Sequence, residues 1–184
     1  MFSAYQFGTI SLFLFLSVLF ALFLAVLLTK RRNSPGAICL VFLELAVAVW
    51  TFAVIFEYAT DQAVLKYFWS RVAYLGTTTA PVFYFLFVMA FVRQKRFGNP
   101  WLTASFFIVP VITFFLALTN QHHHLIWTQV SVIPESRLAI YAYGPWFWVF
   151  VSYCYLMFIV GSLFLIINVF HYHGIFTGYN FWRC

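Results

Sequence analysis

The sequence predicts an all-α polytopic membrane protein, a transmembrane bundle of about five helices with the N-terminus outside the cell and the C-terminus inside. Three observations carry this. Hydrophobic residues make up 65% of the 184-residue chain and charged residues 8%, with a mean hydropathy of +0.95, whereas soluble domains carry roughly a quarter charged residues. No water-soluble globule of this size hides so much apolar surface. Five stretches each hold the roughly 20 mostly apolar residues needed to cross a hydrocarbon core about 30 Å thick. The basic residues behind the net charge of +6 gather in short connections and not along one solvated face, which argues against nucleic-acid binding.

The first span, 7–29, lies in a segment without any charge from Met1 to Thr29, and Lys30, Arg31 and Arg32 follow it. A cleavable signal peptide carries its positive charge before the apolar run. The reversed order predicts a span that is retained, N-terminus outward. The remaining spans are expected at 37–59, 68–92, 101–119 and 146–170, each helical because lipid cannot satisfy exposed backbone groups. Pro81 and Pro110 fall inside the third and fourth, as kinks tolerated by neighbouring helices. Residues 1–170 thus form one transmembrane domain, and 171–184 a cytoplasmic tail of unusual composition.

Topology follows from charge. Lys30, Arg31 and Arg32, then Arg93, Lys95 and Arg96, sit in two short loops without an acidic residue, whereas the opposite connections mix Asp61, Lys66, Glu135 and Arg137. The positive-inside rule makes the first pair of loops cytoplasmic. In the long outer connection, 128–133 and 138–143 are β-prone runs separated by Pro134-Glu135-Ser136-Arg137, which predicts a small extracytoplasmic hairpin between spans four and five. Pro145 is well placed to open the fifth helix. Phe68 and Trp69, with Trp146 and Trp148, are expected to anchor that boundary at headgroup level.

Ionisable groups inside a bilayer are costly, so each is a functional candidate. Glu44 and Glu57 share the second span, but thirteen residues at about 100° each turn them to different directions, so one proton path through both is not expected. Glu57 reads either as a ligand-binding or pH-sensing carboxylate at the mouth of the bundle or, more plainly, as an interfacial acid paired with Lys66 or Arg71. Glu44 reads as an intramembrane polar group hydrogen-bonded across to another helix. Asn120-Gln121-His122-His123-His124 follows span four. Adjacent histidines on one helix point apart and cannot share a metal, so His122 and His123 are either sensing residues or a cap on the helix. Trp50, Tyr74 and Trp127 would line an outward-facing apolar pocket, although such aromatics more often serve packing.

Cys39, Cys154 and Cys184 show neither disulfide nor zinc spacing. Gly-rich phosphate loops, nucleophile elbows and metalloprotease motifs are missing from the sequence. No catalytic residue, metal site or cofactor is therefore assigned, and the chain is read as a non-enzyme.

From Arg32 onward the order of residues becomes familiar. Pro35-Gly36-Ala37 opens span two, Trp50 and Glu57 lie along it, and Phe68-Trp69, Tyr74-Leu75-Gly76 and Pro81 mark span three. Pro110, the stretch Thr119-Asn120-x-His122-His123-x-x-Ile126-Trp127, and Gly144-Pro145-x-Phe147-Trp148 follow. The pattern resembles the N-terminal seven-transmembrane region of bacterial sensor histidine kinases, a region also found ahead of diguanylate cyclases. The resemblance implies a plasma-membrane sensory domain of a two-component system, a homodimer, and a cytoplasmic signalling module whose kinase activity lies beyond these residues. That family has seven spans, so this chain is expected to be a shortened member of about five. The partners implied are membrane lipids and a small-molecule or ionic signal, with no nucleic acid. The alternative is a small transporter, channel or accessory membrane subunit built around Glu44.

Overall fold

The computed structural model describes residues 5–92, 99–132 and 139–179, with side chains described as far as Phe170. Its elements are α1 (Thr9–Thr29), α2 (Ala37–Ala59), α3 (Ala63–Phe91), α4 (Pro100–Ser105), α5 (Ile108–His123), β1 (Trp127–Val132), β2 (Ala139–Tyr143) and α6 (Pro145–Tyr179). Five of the described helical segments are long and apolar enough to cross a membrane, with α4 and α5 together making one span, Pro100–His123.

The central helix is α3, which packs against α2, α5 and α6. Over its apolar window 56% is buried, against 17–22% for the other four spans, so α3 is the inner helix and the others present long faces to lipid. The α2/α3 crossing is close because Gly76 permits it. A Cβ there would stand 2.2 Å from the carbonyl oxygen of Ala46 and 2.8 Å from the backbone nitrogen of Trp50, and small residues are what let membrane helices approach backbone to backbone.

Helix α3 begins at Ala63, five residues before the expected boundary. Lys66 gave that stretch the look of a loop. Yet Lys66 is 1% exposed, and its Nζ donates to the main-chain carbonyl of Glu57 at 2.7 Å. That carbonyl lies in the last turn of α2, where the helix supplies no N–H donor of its own, so the lysine caps α2 while riding in α3.

The two prolines act differently. Pro81 is buried inside an unbroken α3. Pro110 lacks the N–H that would bond the carbonyl four residues back, which is that of Phe106. The fourth span divides there into α4 and α5, and the freed Phe106 oxygen accepts from Tyr153 Oη of α6 at 2.6 Å.

The strands pair antiparallel, with Trp127 opposite Tyr143 and Val132 opposite Ala139, and an irregularity between Trp127 and Gln129. The expected hairpin is therefore present between spans four and five, while its turn, Pro134 to Arg137, lies outside the described residues. At the same end of the bundle Tyr5 bridges Thr60 and accepts a hydrogen bond from Trp69 Nε1 at 3.0 Å. The boundary aromatics divide: Phe68 and Trp148 are exposed, whereas Trp69 is tied to Tyr5, and Trp146 Nε1 donates to Thr113 Oγ1 at 3.0 Å. The basic turn Lys30-Arg31-Arg32 is exposed at the opposite end; Arg93, Lys95 and Arg96 lie outside the described residues. Helix α6 runs on through the expected tail to Tyr179.

Candidate functional site

The site is built downward from the end of α5. His124 takes a left-handed conformation, φ 54°, and ends the helix with its N–H on the Asn120 carbonyl. The chain then doubles back past the Asn120 side chain, which is 1% exposed. Asn120 Oδ1 accepts from the backbone N–H groups of Ile126, at 2.9 Å, and Trp127, at 3.1 Å. Its Nδ2 donates to the Trp127 carbonyl at 2.8 Å and to Tyr67 Oη at 3.0 Å. Both faces of the amide are thus used, and they fix where the hairpin leaves the helix.

Gly144 closes the other strand. A Cβ on it would stand 2.4 Å from the Leu125 carbonyl oxygen, so only glycine lets β2 return this close before Pro145 opens α6. Its N–H donates to Ile126 O at 2.8 Å, and that of Trp146 to Leu125 O at 3.0 Å. Trp127, 3% exposed, is thereby held among Tyr67, Tyr74 and Tyr141, at ring-centroid distances of 5.3, 5.0 and 5.7 Å.

Tyr141 links the hairpin to the membrane helices. Its Oη donates to Glu57 Oε1 at 2.5 Å and lies 2.5 Å from Ser70 Oγ of α3. Burial, reinforced by the charge of Glu57 and the hydrogen bond to it, pushes the Tyr141 phenol well above the usual tyrosine range, so it remains a proton donor to the carboxylate. The Glu57 carboxylate thus takes a hydrogen bond from the hairpin. Lys66 meets the Glu57 main chain, and the Arg71 guanidinium lies 4.2 Å over the Tyr67 ring and reaches Gln121 Oε1 at 3.4 Å.

Beneath these groups lies a cavity of about 500 Å³, bounded by α2, α3, the hairpin and α6. Glu57, Trp50, Tyr74 and Trp127 all line it, together with Ser70, Tyr141 and, from α6, Phe147, Phe150 and Phe158. The volume is that of a small-molecule site, and the composition is the usual one of apolar walls with a few placed polar groups.

The other sequence candidates lie elsewhere. His122 is exposed, with its Nε2 3.2 Å from Gln121 Nε2. His123 Nδ1 accepts from the Leu125 N–H at 3.1 Å, and its Nε2 lies 3.1 Å from Thr119 Oγ1. That pattern requires an unprotonated Nδ1 and makes His123 part of the α5 cap. Glu44 is half-buried outside the cavity, and among the described residues the cross-helix hydrogen bond expected of it does not form. Among the described residues no three His, Cys, Asp or Glu side chains are grouped to hold a metal.

A model of the N-terminal 7TM region of histidine kinase matches residues 13–181. The chain belongs to this family. As a histidine-kinase 7TM region it is a multi-pass plasma-membrane protein of a sensory, signal-transducing class, with its apolar helices against lipid. Comparison with curated proteins and with solved structures gave no match. Within this 7TM region, sequence reasoning did not single out Asn120, Ser70 or Tyr141 as site residues. In β2 Tyr141 is half-buried between exposed Ile140 and Ala142, an inward strand position that the uniformly apolar run Ala139–Tyr143 does not mark in sequence.

Proposed function

We propose that this 7TM region is a non-catalytic signal-input domain that receives its signal in the cavity beneath the hairpin. In this reading the N-terminus and hairpin face outward and the Lys30-Arg31-Arg32 turn faces the cytoplasm. The carrying observation is that one cavity joins the hairpin, the Glu57 carboxylate and the first turns of α6. Helix α6 is 35 residues long, about 52 Å at 1.5 Å per residue, and so exceeds the hydrocarbon core of about 30 Å. A displacement at Phe147 or Phe150 has an unbroken helix along which to reach the other end. A ligand shifts such a domain only through different affinity for two helix arrangements, and the gap between α2 and α6 is a place where such arrangements would differ.

The test is to join the chain to a cytoplasmic histidine kinase module in vesicles and fill the cavity with Val54→Trp. The expected result is a changed basal phosphorylation and a lost response to the host's extracellular medium. Unchanged output and response would sink the cavity reading, and solute flux through the vesicles would favour the transport alternative.

A further inference from the structure

We propose that the cavity's ligand is an organic cation, an amine or quaternary ammonium with an apolar body; this rests on the cavity being the signal site. Among the described residues, half of the side chains around the cavity are aromatic, and Glu57 is the one formally charged residue lining it. Ring faces attract a cation, most strongly when it is desolvated. A half-buried carboxylate beside aromatic and apolar walls attracts an opposite charge on a guest more strongly than it would in open water.

The arrangement favours a cation over an anion or a neutral guest on three counts. Trp127 is held edge-on by Tyr67 and Tyr74, so the aromatic wall is rigid and costs little entropy on binding. The hydroxyl of Tyr141 donates to Glu57 Oε1, which keeps the carboxylate an acceptor fixed in place. The basic groups of α3 are engaged outside the lining, Lys66 on the α2 carbonyl of Glu57 and Arg71 over Tyr67. An anionic guest would meet Glu57 at close range and, among the described residues, would find no lysine, arginine or histidine in the wall. A neutral guest would use the aromatic surface but draw no attraction from the Glu57 carboxylate.

The experiment uses the full chain in lipid nanodiscs, titrated with benzyltrimethylammonium and, separately, with its carbon isostere neopentylbenzene, following tryptophan fluorescence. Trp50→Phe identifies the part of the signal that arises from Trp50 in the cavity wall. The cation should bind saturably and about tenfold or more tighter than the isostere. Glu57→Gln keeps an oxygen to accept from Tyr141, and a thermal melt verifies its fold. It should weaken the cation's binding several-fold, towards that of the isostere, and leave the isostere unchanged. Equal affinities in the native chain, or a cation affinity unmoved by Glu57→Gln while Val54→Trp abolishes binding, would overturn the cation proposal and leave the cavity reading standing. Saturable binding of neither probe would overturn the cation proposal by itself, and a kinase output also unmoved by Val54→Trp would remove the cavity reading with it.

Discussion

At the scale of single residues, the hairpin's position rests on one amide. Replacing Asn120 by alanine removes the acceptor of two buried N–H groups and the donor to a carbonyl and a tyrosine. Unsatisfied buried groups cost about 1–3 kcal/mol each, so Asn120→Ala should lower stability by about 2–5 kcal/mol. Thr119→Ala, at an exposed neighbour, should lower it by less than about 1 kcal/mol, and thermal unfolding in detergent separates the two. Tyr141 gives a pH dependence. Its phenol is raised in the folded state by burial and by Glu57, so the stability it contributes is fully present below the ordinary tyrosine value of about 10 and is lost as pH climbs from there towards the folded value. The melting temperature should therefore fall above about pH 10, and Tyr141→Phe should melt lower at neutral pH but with a shallower alkaline decline. An identical alkaline slope in the variant would show that Tyr141 does not carry the effect.

At the scale of elements, the break between α4 and α5 and the crossing of α2 and α3 each depend on one exchange of partners. Tyr153 bonds the carbonyl that Pro110 leaves free, so Tyr153→Phe should cost about 1 kcal/mol. In a Pro110→Ala background the restored N–H can take that carbonyl, and the same change should then cost less. A double-mutant cycle on thermal stability measures this coupling, and additivity would disprove it. At the crossing, Gly76→Ala would put a methyl against backbone atoms at 2.2 and 2.8 Å, forcing the helices apart at about 1–3 kcal/mol or more. Gly161→Ala meets side chains and no backbone, the Tyr84 ring at 3.0 Å and Phe85 at 3.6 Å, so a shift of a few tenths of an ångström relieves it. Purified variants should show a large drop in melting temperature for the first and a small one for the second. The elements themselves were legible in the sequence wherever hydropathy alone determines them, as in α1 and α2. The start of α3 was not, because a lysine that caps a neighbouring helix looks from sequence like a residue in solvent.

At the scale of the whole molecule, the site was legible in part for a physical reason. Trp50, Glu57, Tyr74 and Trp127 drew notice one by one as polar or aromatic groups in lipid, and the fold brings all four to one cavity. What joins them comes from far along the chain: Tyr141 of the hairpin meets Glu57 of α2 and Ser70 of α3, a meeting no local spacing encodes. The histidines attracted attention by their chemistry, yet His123 spends its ring nitrogens on Leu125 and Thr119 at the α5 cap. The fold also ties orientation to function. The N-terminal segment, the α2–α3 turn and the hairpin share one end, so the side to which α1 inserts determines which compartment the cavity's roof faces. Lys30, Arg31 and Arg32 are exposed at the other end, and positive charge beside the first span is the main determinant of its direction. A phosphatase reporter active only outside the cytoplasm, inserted at Glu135, should be active, and the same reporter at Asn33 silent. Replacing Lys30, Arg31 and Arg32 together by glutamine should transfer measurable activity to the Asn33 insertion, because only the second basic loop would then hold the bundle in place. A reporter active at Asn33 in the native chain would instead turn the cavity's roof towards the cytoplasm, and the signal it receives would have to be an internal one.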